Sequence, residues 1–248
     1  IKGGIVMYEH VHIGASDIIG RHYATLPKVL VISHHELSCL PKTGVKSVSI
    51  SAFDPLRKSE IVPSVDFIDS VCLALPSSCK IIYFSSARVL ERNSSSRHAI
   101  YVENKMFDEV RLRAVFPNLS VVYLPLVIPL HHSDKNEFLG TFFGNLKSEL
   151  VTFDVGADSS WNFIHPSDLN LLIDNIDSLH RRQLLVSKRA FTGHDFVRFA
   201  REVGKVNLVE FGEGVFHYPN YSDTAILCAE FDYFDNFDWL ILLHRLYK

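Results

Sequence analysis

Three side chains that could together move a proton follow one apolar run of the sequence. Tyr101 and Lys105 are four residues apart, so they share one face if this segment is a helix. A neighbouring ammonium favours the ionised form of a phenol, and Ser86, which closes the apolar run, could hydrogen-bond a substrate oxygen. The spacing predicts Tyr101 as a general acid or base whose pKa is lowered by Lys105. The alternative is a surface pair on a helix beside a serine that only ends a strand.

A turn between two glycines follows the first apolar segment. Residues 14–20 read Gly-Ala-Ser-Asp-Ile-Ile-Gly, and such turns bring backbone N–H groups close to phosphate at the start of a helix. Asp17 stands where a middle glycine would let the backbone approach a pyrophosphate. We expect its carboxylate either to weaken dinucleotide binding or to turn away as a helix cap. The alternative for Gly14 and Gly20 is a tight strand-to-helix turn that holds no ligand.

The hydrophobic pattern predicts alternating strands and helices. Strands are expected at 10–13, 28–32, 45–50, 80–84 and 120–124, and helices at 17–26, 65–75 and 101–115. The second half is less regular, with helices at 136–146, 167–178 and 192–203 and strands at 161–165 and 183–187. This alternation indicates a parallel sheet covered on both faces and joined by right-handed crossovers. Ser86 would then lie at the carboxyl edge of the sheet, where open α/β sheets bind ligands.

Composition excludes several classes of function. The chain has 248 residues, is 47% hydrophobic and 21% charged, and carries a net charge of −3 without a basic tract, which argues against nucleic-acid binding. No apolar run approaches the roughly 18 residues of a membrane span. The four cysteines have no C-x-x-C spacing and the thirteen histidines form no H-E-x-x-H motif, so we expect reduced thiols, no metal site and a cytoplasmic location.

Five segments, in this order, resemble the extended short-chain dehydrogenase/reductases, the group of NAD(P)-dependent sugar-nucleotide epimerases and dehydratases. They are residues 12–22, 80–89, 101–105 with Glu109 following, 121–125 and 161–169. The resemblance implies a doubly wound parallel Rossmann-type sheet with a small C-terminal substrate lobe. The core would comprise residues 8–130 and about 160–188, and the lobe residues 131–159 and 189–248.

The resemblance also implies a function and a set of site residues. It implies NAD or NADP as cofactor and a nucleotide-activated sugar or related carbonyl compound as the small-molecule substrate. Catalysis would use Ser86, Tyr101 and Lys105. The cofactor would contact Gly14, Ser16, Asp17, Ile18, Gly20, Ser33, Lys105 and Pro125. Dehydratases of the family usually place Asp-Glu after the serine, whereas Ala87 and Arg88 stand here, which favours epimerisation or carbonyl reduction.

Family members often dimerise through the helix that carries the tyrosine and lysine. That helix here carries a set of apolar residues that could serve such an interface or the core: Met106, Phe107, Val110, Leu112 and Val115.

Several positions depart from the family pattern. Leu124 replaces a usual arginine, Ile128-Pro129 replaces a glycine–proline exit, and Ser33 with its two following histidines does not choose between NAD and NADP. The stretch before Ser86 is short, which leaves open whether residues 45–50 form the third or the fourth family strand. Together with Asp17, these departures support a second hypothesis, a non-catalytic member that keeps the fold as a binding or scaffold module.

Overall fold

The computed structural model describes ten stretches of the chain: residues 8–41, 45–51, 65–90, 96–128, 137–146, 148–153, 156–187, 190–203, 206–213 and 225–228. These residues belong to two compact units. The first unit comprises residues 1–124, 166–185 and 220–227, and the second comprises residues 125–165, 186–219 and 228–248. Two predicted features lie outside the described residues: Pro129, and the part of the predicted lobe beyond Cys228.

Strands and helices alternate through the described residues. The strands are β1 His10–Ile13, β2 Val29–Ile32, β3 Ser47–Ile50, β4 Lys80–Ser86, β5 Leu119–Leu124, β6 Leu126–Val127, β7 Leu150–Phe153, β8 Ser160–Trp161, β9 Phe163–Ile164, β10 Arg182–Val186, β11 Phe191–Thr192, β12 Leu208–Phe211 and β13 Ala225–Cys228. The α-helices are α1 Ile18–Tyr23, α2 Val65–Ala74, α3 Ser96–Val115, α4 Glu137–Asn145, α5 Asn170–Asp174 and α6 Gly193–Val203. Short 3-10 helices cover Leu37–Cys39, Ala87–Leu90 and Pro166–Leu169.

The first unit is built on a seven-stranded sheet. Its strands lie in the order β13-β10-β5-β4-β3-β1-β2, and every pair from β2 to β10 is parallel. Strands β4 and β5 are buried on both faces, which explains their nearly continuous apolar sequence. The prediction of a doubly wound parallel α/β sheet is confirmed.

The order of the strands reverses between β1 and β3. The chain runs from β1 outward to β2 and then returns to place β3 on the other side of β1. In open α/β sheets, ligands bind beyond the carboxyl ends of the strands at such a reversal, which here falls between β1 and β3. Because β3 pairs directly with β1 and β2 is the edge strand, the described residues lack the outer strand that a full dinucleotide fold places beyond β2. Residues 47–50 therefore correspond to the fourth family strand.

Helix boundaries differ from the predictions by more than one residue in three helices. Helix α1 ends at Tyr23 rather than residue 26, because Pro27 disfavours helical geometry in the residue before it. Helix α3 begins at Ser96, five residues before the predicted start at Tyr101. Helix α5 covers only Asn170–Asp174, since a 3-10 turn precedes it and Asn175 ends it with a side-chain bond to the carbonyl of Leu171.

The second unit has short strand pairs around an aromatic core. Strand β6 pairs with β9 and β7 with β12 in parallel, and β8 pairs with β11 in the antiparallel sense. Phe196 of helix α6 lies at the centre of the core, with its ring centroid 4.9 Å from that of Phe142 and 5.2 Å from that of Trp161. Edge-on packing of such rings holds the short strands together.

Candidate active site

Ser86 and Tyr101 meet at the carboxyl end of β4. Ser86 is the last residue of that strand, and helix α3 carries Tyr101 to the same edge of the sheet. Their side chains are hydrogen-bonded to each other, and the Ser86 hydroxyl also accepts the backbone N–H of Arg88 at 3.2 Å. The structure therefore joins two of the three side chains that the spacing predicts to act together.

Burial controls the phenol of Tyr101. It raises the pKa of Tyr101 above its ordinary value, an effect opposed by the hydrogen bond from Ser86 and by the positive charge of Arg88, while the charge of Asp108 adds to it. The neutral phenol is thus favoured. The expected lowering of this pKa by Lys105 is wrong, because burial outweighs the nearby charges and the cation that acts on the phenol is Arg88.

Lys105 is turned toward the sheet. Its side chain is only 4% exposed, and its Nζ donates to the backbone carbonyl of Phe84 at 3.0 Å and lies 4.9 Å from the centre of the Tyr83 ring. The charge of Lys105 also lowers the pKa of Asp17. The ammonium therefore acts electrostatically on the turn after β1 as well as bonding to β4.

The turn after β1 has the close packing that two glycines permit. Gly14 has a φ of 141°, a conformation that side chains rarely adopt. A Cβ atom on Gly20 would lie 1.9 Å from the carbonyl oxygen of Gly14, so only glycine fits there. Ser16 is exposed, with its carbonyl accepting the Arg21 guanidinium at 2.7 Å, and Ile18 begins helix α1 half-buried.

The Asp17 carboxylate faces inward instead of toward the exposed side of the turn. It caps helix α1 by accepting the backbone N–H of Gly20 at 2.7 Å, and it hydrogen-bonds the side chain of Ser51 just after β3. Burial raises its pKa, while these bonds and the charges of Lys105 and Arg21 act in the opposite direction. Of the two outcomes expected for Asp17, the helix cap is confirmed.

The end of β2 carries a carboxylate that the sequence analysis did not assign. Glu36 accepts the backbone N–H of Ser33 at 2.9 Å, and the Ser33 hydroxyl accepts the N–H of His35 at 3.3 Å. Glu36 stands 22 residues after Gly14, close to the position at which an acidic residue meets the ribose in dinucleotide-binding folds. The spacing between Gly14 and Glu36 along the chain was the signal that could have identified Glu36 from the sequence. Pro125 is buried directly after β5, in the second unit.

Glu109 takes part in a different group of residues. It accepts the Tyr123 hydroxyl at 2.8 Å and pairs with Arg113 at 3.0 Å, and Arg182 donates to the same hydroxyl at 3.0 Å. Burial and the charge of Glu109 raise the pKa of Tyr123. Glu109 therefore braces helix α3 against β5 and β10.

The described residues contain no group of three or more histidine, cysteine, aspartate or glutamate side chains able to hold a metal ion. Among them, no helix has both the length and the apolar character needed to cross a membrane.

The chain resembles solved structures although no protein-family model and no curated protein matches its sequence. An NAD-dependent NDP-hexosamine 5,6-dehydratase of tunicamycin biosynthesis is 15% identical, with a TM-score of 0.59 and 87% of both chains covered. The dTDP-4-dehydrorhamnose reductase of Bacillus anthracis, solved with NADP, is 16% identical, with a TM-score of 0.61, covering 86% of this chain and 92% of that one. The UDP-N-acetylglucosamine 4-epimerase of Bacillus cereus is 11% identical, with a TM-score of 0.60, covering 84% and 86%. The chain therefore has the fold of the extended short-chain dehydrogenase/reductases, as its five resembling segments predict.

Proposed function

We propose that the protein is an NAD(P)-dependent epimerase or carbonyl reductase that acts on a nucleotide-activated sugar or a related carbonyl compound. The observation that carries this proposal is the hydrogen bond between Ser86 and Tyr101 at the carboxyl end of β4. Lys105 lies one helical turn further on, and its charge acts on the glycine turn. The resembling enzymes with the same fold act, by their names, on sugar nucleotides.

The turn after β1 fits a dinucleotide. Gly14 keeps its positive φ, and Gly20 lies so close to Gly14 that the strand and helix meet in a narrow turn. The inward-facing carboxylate of Asp17 leaves the exposed side of the turn to the backbone of Ala15 and Ser16. A bound nicotinamide dinucleotide would be held by this turn together with Ser33 and Lys105, and it would supply hydride transfer.

Ser86 and Tyr101 have separate roles in this proposal, and Arg88 supports the phenol. Ser86 orients the substrate oxygen by a hydrogen bond. Tyr101, whose pKa is raised by burial, holds its proton at neutral pH and donates it from Oη to the oxygen of a carbonyl that is being reduced. The charge of Arg88 lowers this pKa and so stabilises the phenolate that remains. In epimerisation the same Oη takes the proton back in the opposite step.

Replacing the phenol tests this role. We expect Tyr101→Phe to reduce kcat with candidate sugar nucleotides about 10²–10⁴-fold, with little change in KM, because a proton donor is removed and the ring is kept. Ser86→Ala should also reduce kcat. Ser85→Ala is the matched control, since the buried hydroxyl of Ser85 has no hydrogen-bond partner in the described structure. Unchanged turnover in Tyr101→Phe would contradict the assignment.

A non-catalytic binding or scaffold protein is the second candidate function. It is favoured by one observation, the Asp17 carboxylate that already occupies the N–H of Gly20 at the start of α1. In a dinucleotide site this end of the helix faces the phosphates. Binding of any nicotinamide dinucleotide with micromolar affinity would remove this second candidate.

We further propose that the protein forms a homodimer through helices α2 and α3, with the second unit as its substrate-binding lobe. The support is an apolar surface, which we call the α2–α3 surface, made of four exposed residues: Leu73 at 89%, Met106 at 49%, Phe107 at 46% and Val110 at 67%. Leu112 is instead fully buried. A second copy that covers these side chains would remove their apolar area from water.

A further inference from the structure

A chain of hydrogen bonds between imidazoles and hydroxyls runs through the interior between β1 and β3. The two strands pair in parallel, with His10 opposite Ser47 and His12 opposite Ser49, so alternate residues of both strands face the same side of the sheet. The bonds join, in order, Ser47 to His10 Nδ1 at 2.7 Å, His10 Nε2 to Ser49 at 2.7 Å, Ser49 to His12 Nδ1 at 2.7 Å, His12 Nε2 to Ser51 at 2.9 Å, and Ser51 to Asp17. The last member is the carboxylate of the glycine turn.

Both imidazoles of the chain are neutral. His10 is 1% exposed and His12 is fully buried. Burial lowers the pKa of His10 to about 4 and that of His12 to about 3. A neutral imidazole has one nitrogen that donates and one that accepts, and a serine hydroxyl has one proton. Where each serine donates to one of its neighbours in the chain and accepts from the other, the direction of one link fixes the direction of all five.

Asp17 selects the direction. When its carboxylate is ionised it can only accept, so Ser51 donates to it and accepts from Nε2–H of His12. Ser49 then donates to Nδ1 of His12 and accepts from Nε2–H of His10, and Ser47 donates to Nδ1 of His10. With Asp17 ionised, both histidines are Nε2–H tautomers.

Protonation of Asp17 reverses every link with balanced protons. The hydroxyl proton of Ser47 passes to Nδ1 of His10, and the Nε2 proton of His10 passes to Ser49. In the same way the proton of Ser49 reaches Nδ1 of His12, the Nε2 proton of His12 reaches Ser51, and the proton of Ser51 reaches the carboxylate. Ser47 then takes one proton from the medium, so one proton has moved in and both histidines are Nδ1–H tautomers without becoming charged.

We propose that this chain is a proton path that connects the amino-terminal edge of the sheet with the Asp17 carboxyl at the glycine turn. The outer end of the path lies beside exposed ionic groups, since Ser47 follows Lys46 and His10 follows Glu9, and Lys46 and Glu9 form an ion pair at 3.4 Å. The inner end ends on a carboxylate that can take up or release the proton. Apart from Asp17, the path uses residues that the proposed reaction does not need.

Several groups face Asp17 and influence its titration. Arg21 of α1 and Lys105 of α3 favour the ionised carboxylate through their charges, as do the hydrogen bonds from Ser51 and from the N–H of Gly20. Burial has the larger effect and favours the neutral acid. Opposed influences of this kind allow a nearby ligand charge to change the protonation state of Asp17.

Nitrogen-15 NMR of the intact protein tests the path, because nitrogen chemical shifts distinguish a protonated imidazole nitrogen from a bare one. We expect His10 and His12 to change together from Nε2–H to Nδ1–H as the pH is lowered, at the pH where the carboxyl carbon of Asp17 titrates. Either histidine keeping one tautomer throughout that titration, or becoming cationic within it, would overturn the proposal.

Two substitutions separate a proton path from a structural network. In Asp17→Asn the inner end cannot titrate, so both tautomers should stay constant. In Ser51→Ala the link between His12 and Asp17 is lost, so the carboxyl should still titrate while the tautomers no longer follow it. Tautomers that still reverse together in Ser51→Ala would show that the proton reaches Asp17 by another route.

Dinucleotide binding gives a second readout, and this part rests on the proposed function. The negative charge of a pyrophosphate near the turn favours protonated Asp17, so binding of NADH or NADPH should take up part of one proton. Calorimetry at pH 6 and pH 8, in buffers of different ionisation enthalpy, should show tighter binding at pH 6, by up to about tenfold per pH unit. Asp17→Asn should bind equally at both values, and pH-independent binding by the unmodified protein would contradict the coupling. If neither dinucleotide binds at any pH, the proposed function fails, while the tautomer experiment still decides the path.

Discussion

In the turn formed by residues 14–20, the carboxylate of Asp17 accepts a local hydrogen bond and does not face the side of the turn where it would repel phosphate. A carboxylate at position 17 would repel phosphate if it faced the exposed side of the turn, but it accepts the N–H of Gly20 and bonds Ser51. Burial raises its pKa. Burial shifts the pKa of Tyr101 in the same direction, so both acids near the carboxyl edge of the sheet have raised pKa values.

Glu36 at the end of β2 predicts a preference for NAD over NADP. Its spacing of 22 residues from Gly14 is close to that of the acidic residue that binds the adenosine ribose in dinucleotide folds, where a carboxylate would repel a 2′-phosphate. We expect Glu36→Gln to strengthen NADPH binding about tenfold, equivalent to about 1.4 kcal/mol, and to weaken NADH binding slightly. Binding constants from calorimetry check this expectation.

Glu202→Gln, a neutral replacement on the exposed face of α6, is the matched control and should leave both affinities unchanged. Stronger binding of NADPH than NADH by the unmodified protein would contradict the role of Glu36.

Local patterns predict some of the site, and long-range contacts account for the rest. Ser86, Tyr101 and Lys105 could be placed because an apolar run predicts a strand and a four-residue spacing predicts a shared helix face. The partner of Asp17 could not, because Ser51 is 34 residues away along the chain and only strand pairing brings them together. The direction of the Tyr101 pKa also depends on burial, which local spacing does not reveal.

Among the elements, the strand-to-helix turn of β1 and α1 depends most closely on one residue. We expect Gly20→Ala to destabilise the protein by about 4 kcal/mol or more, because its Cβ would lie 1.9 Å from the carbonyl oxygen of Gly14. Gly144→Ala in helix α4 is the matched control. A Cβ at Gly144 meets nothing within 4 Å, so this change should stabilise by about 0.5–1 kcal/mol. Urea unfolding measures both, and a tolerated Gly20→Ala would contradict the geometry of the turn.

The paired strands β1 and β3 make stability depend on pH. An unfolded histidine has a pKa of about 6.5, whereas burial lowers the pKa of His10 to about 4 and that of His12 to about 3. Between these values the unfolded chain binds more protons, so the free energy of unfolding falls as the pH is lowered. From pH 7 to pH 5 we expect a loss of about 2 kcal/mol for each histidine, measured by urea unfolding.

Asp17 contributes to the pH dependence of stability with the opposite sign, because its raised pKa favours folding at low pH. The effect of the histidines is therefore best measured in the Asp17→Asn variant. In that background His12→Leu should lower stability at pH 7 and remove about half of the pH dependence. If the free energy of unfolding changes with pH equally in Asp17→Asn with and without His12→Leu, His12 is not buried in its neutral form.

The sequence shows that polar and apolar residues alternate in β1 and β3, but it does not show that the polar residues of the two strands bond to each other. His-Val-His-Ile in β1 and Ser-Val-Ser-Ile in β3 both place polar residues at every second position. Each strand alone is typical of a half-exposed position. Their adjacency at the point where the strand order reverses turns two polar faces into one buried hydrogen-bonded chain.

For the whole molecule, the parallel sheet and its flanking helices follow from hydrophobic periodicity, because each strand and helix is encoded locally. The shortened edge of the sheet could not be assigned in the same way. The segment predicted as a strand at 45–50 is a strand in either arrangement, and only the pairing of β3 with β1 identifies it. The local sequence pattern also does not predict whether two copies assemble, because apolar residues on α3 suit either a core or an interface.

The exposed α2–α3 surface predicts a dimer. We expect sedimentation to show a dimer at about 50 μM protein and Val110→Glu to give a folded monomer, because a buried unpaired carboxylate costs several kcal/mol at an interface. Leu208→Glu is the control, at a residue 54% exposed in the second unit, and should remain dimeric. A monomeric unmodified protein at this concentration would exclude this interface.

Calorimetry of the intact protein with NAD, NADH, NADP and NADPH tests the central claim most directly, because the proposed chemistry requires a dinucleotide at the turn after β1. The account predicts that at least one of the four binds with a dissociation constant in the micromolar range, about −8 kcal/mol. Absence of binding by all four up to about 1 mM, about −4 kcal/mol, would contradict it.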